Sequence, residues 1–568
     1  MRKDPQTKAT PKPPQQFVVP GSPPVNPSDS GTGEDVELHK AIEEERAAAL
    51  PEADQLKLYR RYARGKQTIK LTDLQKEVVG RIIGNRFCDN VVSMVLETIS
   101  SRLRFNRFTL GEESGDSAKK ALAWLDEVRQ KNRWADLANK VHWAMLRDGD
   151  CAVCVGWKSG QMPGEGRPLV TREPFWDGQK GVFIAYHDDG QTIKYAVKDW
   201  LESDGTVRRT IYYPDRIYRY MKPKIGSDAS PSFGATGWIR YADPGDPIYE
   251  MDDGQGGTVL TQWPVMWLDQ KGQPLGVPFV HFPNPYIPND GDAGDDDDTD
   301  VGKGTTNKAK GGDFHPSYGV AEGANGLIGQ QDHLNAVHLD IAVGRKTTAS
   351  QMYYATGVDG EDDQGNPIAY KPRAGKMLTS DNENAAFGVL PAGDLGALIA
   401  SVDVTLRAVS RTTKVPMHTF TGDWPSGAAM YQSESGLNFK CERVSESVKP
   451  HWGAVGYLCF KLDNTFGTGS WDLNAIVGTE FSPVARLDPL VMAELANSVA
   501  GHVSESEYLR LIGYEEADVV RIMAEREADR KKQLDHETAI ADAAARRFNR
   551  GTLPPNTPPP VPSPPPAA

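Results

Sequence analysis

The sequence is short of cysteine, of long apolar runs and of positive charge, and each shortage removes a class of protein. Five cysteines in 568 residues do not make a disulfide scaffold. Two of them, Cys151 and Cys154, form a CxxC inside "CAVCVGW". That stretch reads as a strand, where residues three apart point to opposite faces, so core positions are expected rather than a zinc or redox pair. No run of about 18 apolar residues offers a transmembrane helix. The opening "MRKDPQTKATPKPPQQ" has basic residues but no apolar signal core, so synthesis and retention in a cytoplasm are expected. The formal net charge is −13, the wrong sign for tight binding to phosphates. A protein that lets nucleic acid pass without holding it remains allowed.

Catalytic signatures are missing too. A phosphate-binding loop needs GxxxxGK followed by Ser or Thr, and "VGKGTT" has Gly304 there. "QSESG" lacks the first glycine of a nucleophile elbow. His333 and His338 are five apart, not the four of a zinc helix. The aspartates of "DGDAGDDDDTD" (290–300) lack the spacing and terminal Glu of a calcium loop, and read as part of an acidic surface insertion, 290–312. Acidic pairs such as Asp188–Asp189 and Asp252–Asp253 lie in turns. No catalytic residue, metal or cofactor is expected.

What is present is a long chain, 39% hydrophobic, with room for two or three structural regions. Residues 1–36 and 549–568 are Pro-rich and read as disordered tails. From Asp35 to Arg147 the apolar spacing is helical, as in "DNVVSMVLETISSRL". From Cys151 to Phe282 the period changes to two, with Gly, Pro and Asp turns between segments such as "VFIAYHDD" and "TIKYAVKDW". Helix returns from Gly319 to Ala349. Residues 351–393 read as short strands and turns. Asp394 is placed to cap a helix from Leu395 to about Thr413. On that helix Arg407, Arg411 and Lys414 share a stripe opposite the apolar face. The chain then reaches "KVPMHTFTGDWPSGAAMYQSES" (414–435), polar and proline-bounded, with Phe420, Gly422 and Trp424 near its middle. From Ser426 to Phe466 apolar residues recur every three, four or seven positions, which predicts a helix roughly 60 Å long, kinked at Pro450. "DPLVMAELANSVAG", the capping box "SESE" (504–507) and a charged stretch from 515 to 548 predict a helical end.

This order of elements resembles the portal (head–tail connector) proteins of tailed bacteriophages. The resemblance spans roughly 35–548. Its most specific stretch is "KVPMHTFTGDWPSGAAMYQSESGLNFKCERVSESVKPHWGAVGYL", similar to a VP…G…PSG.A…E…K….W pattern. "LYRRYARGKQ", "LGVPFVHFPNPY" and "SESEYLRLIGY" are weaker echoes.

The resemblance implies an α+β ring subunit, usually one of twelve, in a virion at a capsid vertex. A helical and β-rich wing would cover 37–316. Stem helices would be 317–349 and 394–413, flanking a clip at 350–393. A tunnel loop at 414–426 would be followed by the long helix and wing remainder, 427–484, and a crown, 485–548. DNA-channel residues would be Arg407, Arg411, Lys414, Thr419, Phe420, Thr421, Asp423 and Trp424. Clip residues for partner docking would be Glu361, Asp362, Asp363, Lys371, Arg373 and Lys376. Implied partners are other copies of the chain, passing double-stranded DNA, the terminase large subunit, the head–tail adaptor, and the major capsid and scaffold proteins, with no membrane. Twelve copies would carry a charge on the order of −150, which favours sliding DNA over bound DNA. Two other readings compete: a structural virion protein without a channel, and a cytoplasmic enzyme with an unrecognised site.

Overall fold

The computed structural model describes residues 33–49, 53–67, 73, 89–111, 115–159, 166–222, 237–243, 246, 249–252, 258–285, 318–324, 326–349, 353–358, 361, 364–365, 383–389, 395–484, 497–498, 502–511, 514 and 516–550. They fall into two units that divide between Val484 and Ala485.

The first unit is organised by one central strand. β2 (Asp150–Ser159) pairs antiparallel with β3 (Gly166–Pro174) on one side and β12 (Phe279–Pro283) on the other. Side chains alternate across a strand. Cys151, Val153 and Val155 therefore enter one apolar cluster, while Ala152 and Cys154 face another. β12 alternates the same way: Val280 and Phe282 join the first cluster, Phe279 the second. This three-stranded sheet is thus a wall between two cores. The CxxC lies on a strand with its cysteines facing opposite ways, as expected. Burial pushes both thiols up to about 12, so they stay protonated.

Beyond the wall lies an antiparallel sheet in the order β11-β7-β6-β5-β4, where β11 is Val265–Met266, with β8 (Ile239–Arg240) added beside β7. Its main strands are β4 (Gly181–Tyr186), β5 (Ile193–Leu201), β6 (Val207–Tyr212) and β7 (Arg216–Lys222). Helix α1 (Gly33–Ala49) is clamped onto this sheet by charge. Asp199 of β5 accepts from Arg46 Nη1 at 2.8 Å and from Arg209 Nε and Nη2 at 2.9 and 2.8 Å. Burial alone would raise the Asp199 carboxyl, but the two guanidinium charges outweigh it and hold it below its usual value. Asp35, also buried, accepts from Tyr220 and Arg240. These contacts correct the tail boundary at 36. Helix begins at Gly33, because Asp35 has partners nearly two hundred residues away that local composition does not reveal.

The other core is built by α3 (Val91–Ser100), α4 (Asp116–Lys131), α5 (Trp134–Asp148) and α9 (Gly427–Phe466). Every third or fourth residue of α9 from Leu437 to Leu462 is buried, including Cys441, Val444, Val448, Trp452, Val455 and Cys459. Pro450 lies inside α9, which continues past it to Phe466. The expectation of an all-helical 35–147 needs correction. Phe105–Leu110 forms strand β1, paired antiparallel with β15 (Val477–Phe481). The six residues FNRFTL do not alternate apolar with polar, and the pairing partner is over 360 positions away. β15 crosses α9 at Gly453, where a Cβ would lie 2.3 Å from the Val477 carbonyl oxygen. Only glycine permits that approach.

Burial also makes this core acid-sensitive. His142 is fully buried, with Nδ1 3.0 Å from the Leu103 carbonyl and Nε2 accepting from Trp452 Nε1 at 2.9 Å. Burial lowers its pKa to about 4, despite the opposing bond to Leu103. Burial likewise lowers His39 to about 3 and His451 to about 4. A folded pKa below the unfolded one means that stability is complete above about 6.5 and is lost as pH falls towards the folded value. His142 alone should cost on the order of 2 kcal/mol between pH 7 and pH 5. Urea unfolding at the two pH values measures this; equal stabilities would refute it.

The second unit contains α10 (Glu505–Leu511) and α11 (Glu516–Arg550). The Glu507 amide donates to Ser504 Oγ at 3.3 Å, one half of the expected capping box. Of the expected helix from Asp488 only 497–498 are described, as helix; the acidic insertion and most of both Pro-rich tails lie outside the described residues.

Candidate functional site

The candidate region is a helical hairpin and the loop that leaves it. α6 (Leu327–Ala349) and α7 (Gly396–Thr413) run antiparallel. Gln330, near the start of α6, donates to Thr412 Oγ1 near the end of α7 at 3.0 Å. At the opposite end, Gly344 of α6 packs against Leu395, close enough for a Cβ to meet Leu395 Cδ2 at 2.6 Å. α6 begins later than 317, after a 3-10 turn at Glu322–Ala324. α7 is preceded by Leu395 as N-cap, with no side-chain cap; Asp394 lies outside the described residues.

The hairpin is rooted in the first core. Gln331 is fully buried, and its Oε1 accepts from the first two amides of α3, Val91 and Val92. These are donors that a helix start leaves unpaired. Lys440 of α9 donates to Glu322 Oε2 at 2.6 Å and to the Thr413 carbonyl at 3.1 Å. One ammonium therefore ties the long helix to the 3-10 turn before α6 and to the end of α7.

Between the distal ends of the arms, β13 (Tyr353–Thr356) pairs antiparallel with β14 (Ala386–Val389). Tyr354, Ala355 and Thr356 are exposed, and so is Glu361. Asp362, Asp363, Lys371, Arg373 and Lys376 lie outside the described residues.

The core-facing side of α7 holds Thr405, Val409 and Thr413. At about 100° per residue, Arg407, Arg411 and Lys414 fall on the other side. All three are exposed. Arg407 pairs with Asp403 one turn back at 2.8 Å. Lys414 closes the helix in a left-handed conformation, φ 64. Its charge there suits the negative end of the helix dipole.

The following loop is more ordered than its prolines suggested. It contains a short helix, α8 (Met417–Thr421). Pro416 stands at its N-cap, where no N–H is needed. Gly422, at φ 77, ends it and donates its amide to the His418 carbonyl at 2.9 Å. The left-handed backbone at Gly422 makes a tight bend there. Ser426 occupies the N-cap of α9, but its side chain makes no capping bond.

The proposed loop residues do not share one environment. Phe420 is half-buried and packs against the first core, and Thr419 is half-buried. Thr421, Asp423 and Trp424 are exposed, Trp424 by 66%. Behind them His418 is only 6% exposed, with the Trp424 ring 5.0 Å away. His418 Nε2 lies 3.6 Å from Glu434 Oε1, and Glu434 pairs with Arg102 at 3.1 Å. His418, Glu434, Lys440 and Arg102 had no role in the sequence reading. Glu434, Lys440 and Trp452 nonetheless stand at the acidic, lysine and tryptophan positions of the quoted pattern.

Among the described residues no group of three or more His, Cys, Asp or Glu side chains is placed to hold a metal ion. No helix among them is long and apolar enough to cross a membrane.

No protein-family model matches the chain, and no curated protein matches it. Among solved structures, it is similar to a chain of the neck of a native GTA particle, computed with C12 symmetry, at 12% identity and a TM-score of 0.37. The match covers 79% of this chain and 95% of that one. A chain from the neck of an empty GTA particle, computed with C6 symmetry, matches with the same identity, coverage and TM-score.

Proposed function

We propose that the chain is a portal subunit: one member of a ring that forms the DNA channel at a capsid vertex, for packaging and ejection of a viral genome. One observation carries the reading. An antiparallel helical hairpin has a partly exposed two-stranded sheet, β13 with β14, at one end and a loop with an exposed Trp424 at the other, and that loop leads into a 40-residue helix with one face buried in the first core. In the portal reading these parts serve as stem, clip, tunnel loop and wing. The portal-like pattern in 414–458 supports it independently. In this reading Thr421, Asp423 and Trp424 face the channel with Arg407, Arg411 and Lys414 on the wall beside them. Thr419 and Phe420 seat the loop. Contacts with DNA are weak and sequence-independent. The chain itself turns over no nucleotide.

In this reading residues 350–393 are where the terminase and then the head–tail adaptor would dock. Charge reversal at Lys371, Arg373 and Lys376 should leave rings intact and impair packaging or tail attachment, through lost charge complementarity. Infectious particles at normal yield from that triple variant would reject this assignment.

Negative-stain microscopy of the purified protein, with and without scaffold protein, tests the central proposal. Rings with a central hole are expected. A stable monomer or a closed small oligomer under both conditions would overturn the portal reading. A virion protein without a channel also predicts no central hole, and an enzyme predicts turnover by such a monomer or small oligomer.

A further inference from the structure

We infer that His418, Glu434 and Arg102 are positioning residues for the loop. They form a bridge that ties α8 to α9 and to the end of α3, and so set where the exposed tip stands. The consequence for DNA rests on the portal reading; the bridge itself does not.

Five residues of helix do not hold themselves together, so α8 must be kept in place from outside. Two side chains face inward from it. Phe420 supplies apolar contact without direction. His418 supplies direction. Its ring centroid is 5.0 Å from that of Trp424, and its Nε2 is 3.6 Å from Glu434 Oε1, within polar contact but longer than a hydrogen bond.

Glu434 is held before it meets His418. Arg102 follows Ser101, the C-cap of α3, and reaches two residues one turn apart on α9. Its Nη2 is 3.1 Å from Glu434 Oε1, and its Nη1 donates to Asn438 Oδ1 at 2.5 Å. A planar guanidinium fixed at two points has little freedom, and it orients the carboxylate it contacts. The three side chains are largely buried, at 21% for Arg102 and 16% for Glu434, so solvent screens them less than a surface pair.

The path runs from α3 through Arg102, Glu434 and His418 to Trp424. It gives the Trp424 ring, 66% exposed, a contact with a buried side chain. It also gives the first core a physical connection to the loop tip, independent of the hairpin.

Hydrogen exchange on the purified full-length protein tests the bridge. The reporters are the amides of 417–426, above all Gly422, whose N–H bonds to the His418 carbonyl. Residues 452–462, deep in α9, are the internal reference. His418→Phe, which keeps a ring but loses Nε2, should speed exchange at 417–426 about tenfold, with the reference unchanged. His418→Gln restores a donor and should recover most of the protection. Arg102→Leu and Glu434→Leu should each speed exchange, and the double variant should add little, because the two act in one chain. Unchanged exchange at 417–426 in His418→Phe and Glu434→Leu would overturn the bridge. So would an equal rise in the reference segment. Faster local exchange in particles with normal DNA retention would support the bridge and count against the loop's role in the channel.

Discussion

Particles built with a glycine tip, Thr421→Gly, Asp423→Gly and Trp424→Gly together, should contain or retain several-fold less DNA while their rings assemble normally. The variant removes the side chains that the portal reading places in the channel. It leaves His418 and Phe420, which seat the loop, and Gly422, which turns it. The fold should survive. All three side chains are exposed, and the polar link between them is the Asp423 amide to Thr421 Oγ1 at 3.4 Å. Added backbone freedom in the unfolded chain costs about 1 kcal/mol or less per glycine. The mundane alternative is an ordinary connection between helices. It predicts no change in DNA content, because a solvent-facing turn tolerates glycine. Quantifying DNA per particle, then its loss under osmotic or thermal stress, separates the two. Normal content with normal retention would remove the loop from the mechanism.

Trp452→Ala should be the most destabilising single change, by about 3–5 kcal/mol. Trp452 is fully buried midway along α9, ringed by Phe105, Trp134, His142 and Phe282 at centroid distances of 4.8–5.9 Å. These residues come from β1, α5 and β12, so one side chain joins several elements that are far apart in sequence. Alanine leaves a cavity in a close-packed interior. It also removes the donor to His142 Nε2, a buried acceptor that is costly to leave unpaired. Trp452→Phe should cost less, since it keeps most of the volume and loses only the hydrogen bond. A domain is typically stable by about 5–15 kcal/mol, so the alanine variant should lose much of its margin and express poorly. Chemical unfolding of the soluble fraction gives the difference. A loss below about 1 kcal/mol would show that the site collapses around the gap.

The sequence by itself determined the elements whose chemistry is local. The helical stripe from Leu437 to Leu462 is periodic because one face of a long helix is buried, and period is written residue by residue. The strand character of "CAVCVGW", with its cysteines on opposite faces, follows from the same argument at period two. The left-handed turn at Gly422 and the Ser504–Glu507 cap are signals a few residues long. The exposed stripe of Arg407, Arg411 and Lys414 follows from helical spacing alone.

Tertiary structure decided whatever depends on a distant partner. β1 is a strand because β15 pairs with it. Helix begins at Gly33 because Asp35, Glu43 and Arg46 meet Tyr220, Arg240, Asp199 and Arg209 on the sheet. Within the candidate loop, sequence distinguished polar from aromatic residues but not seat from tip. Phe420 faces the core and Trp424 faces out, although both are aromatic and lie four positions apart. The division is made by α8, which turns Phe420 inward, and by Gly422, which reverses the chain before Trp424. His418 was one of eleven histidines. It became distinctive only when folding carried Glu434, sixteen residues ahead, and Arg102, more than three hundred residues back, to the same place. A polar or packing contact needs atoms within about 4 Å, and no spacing in a linear sequence encodes that distance between elements joined only through a folded core.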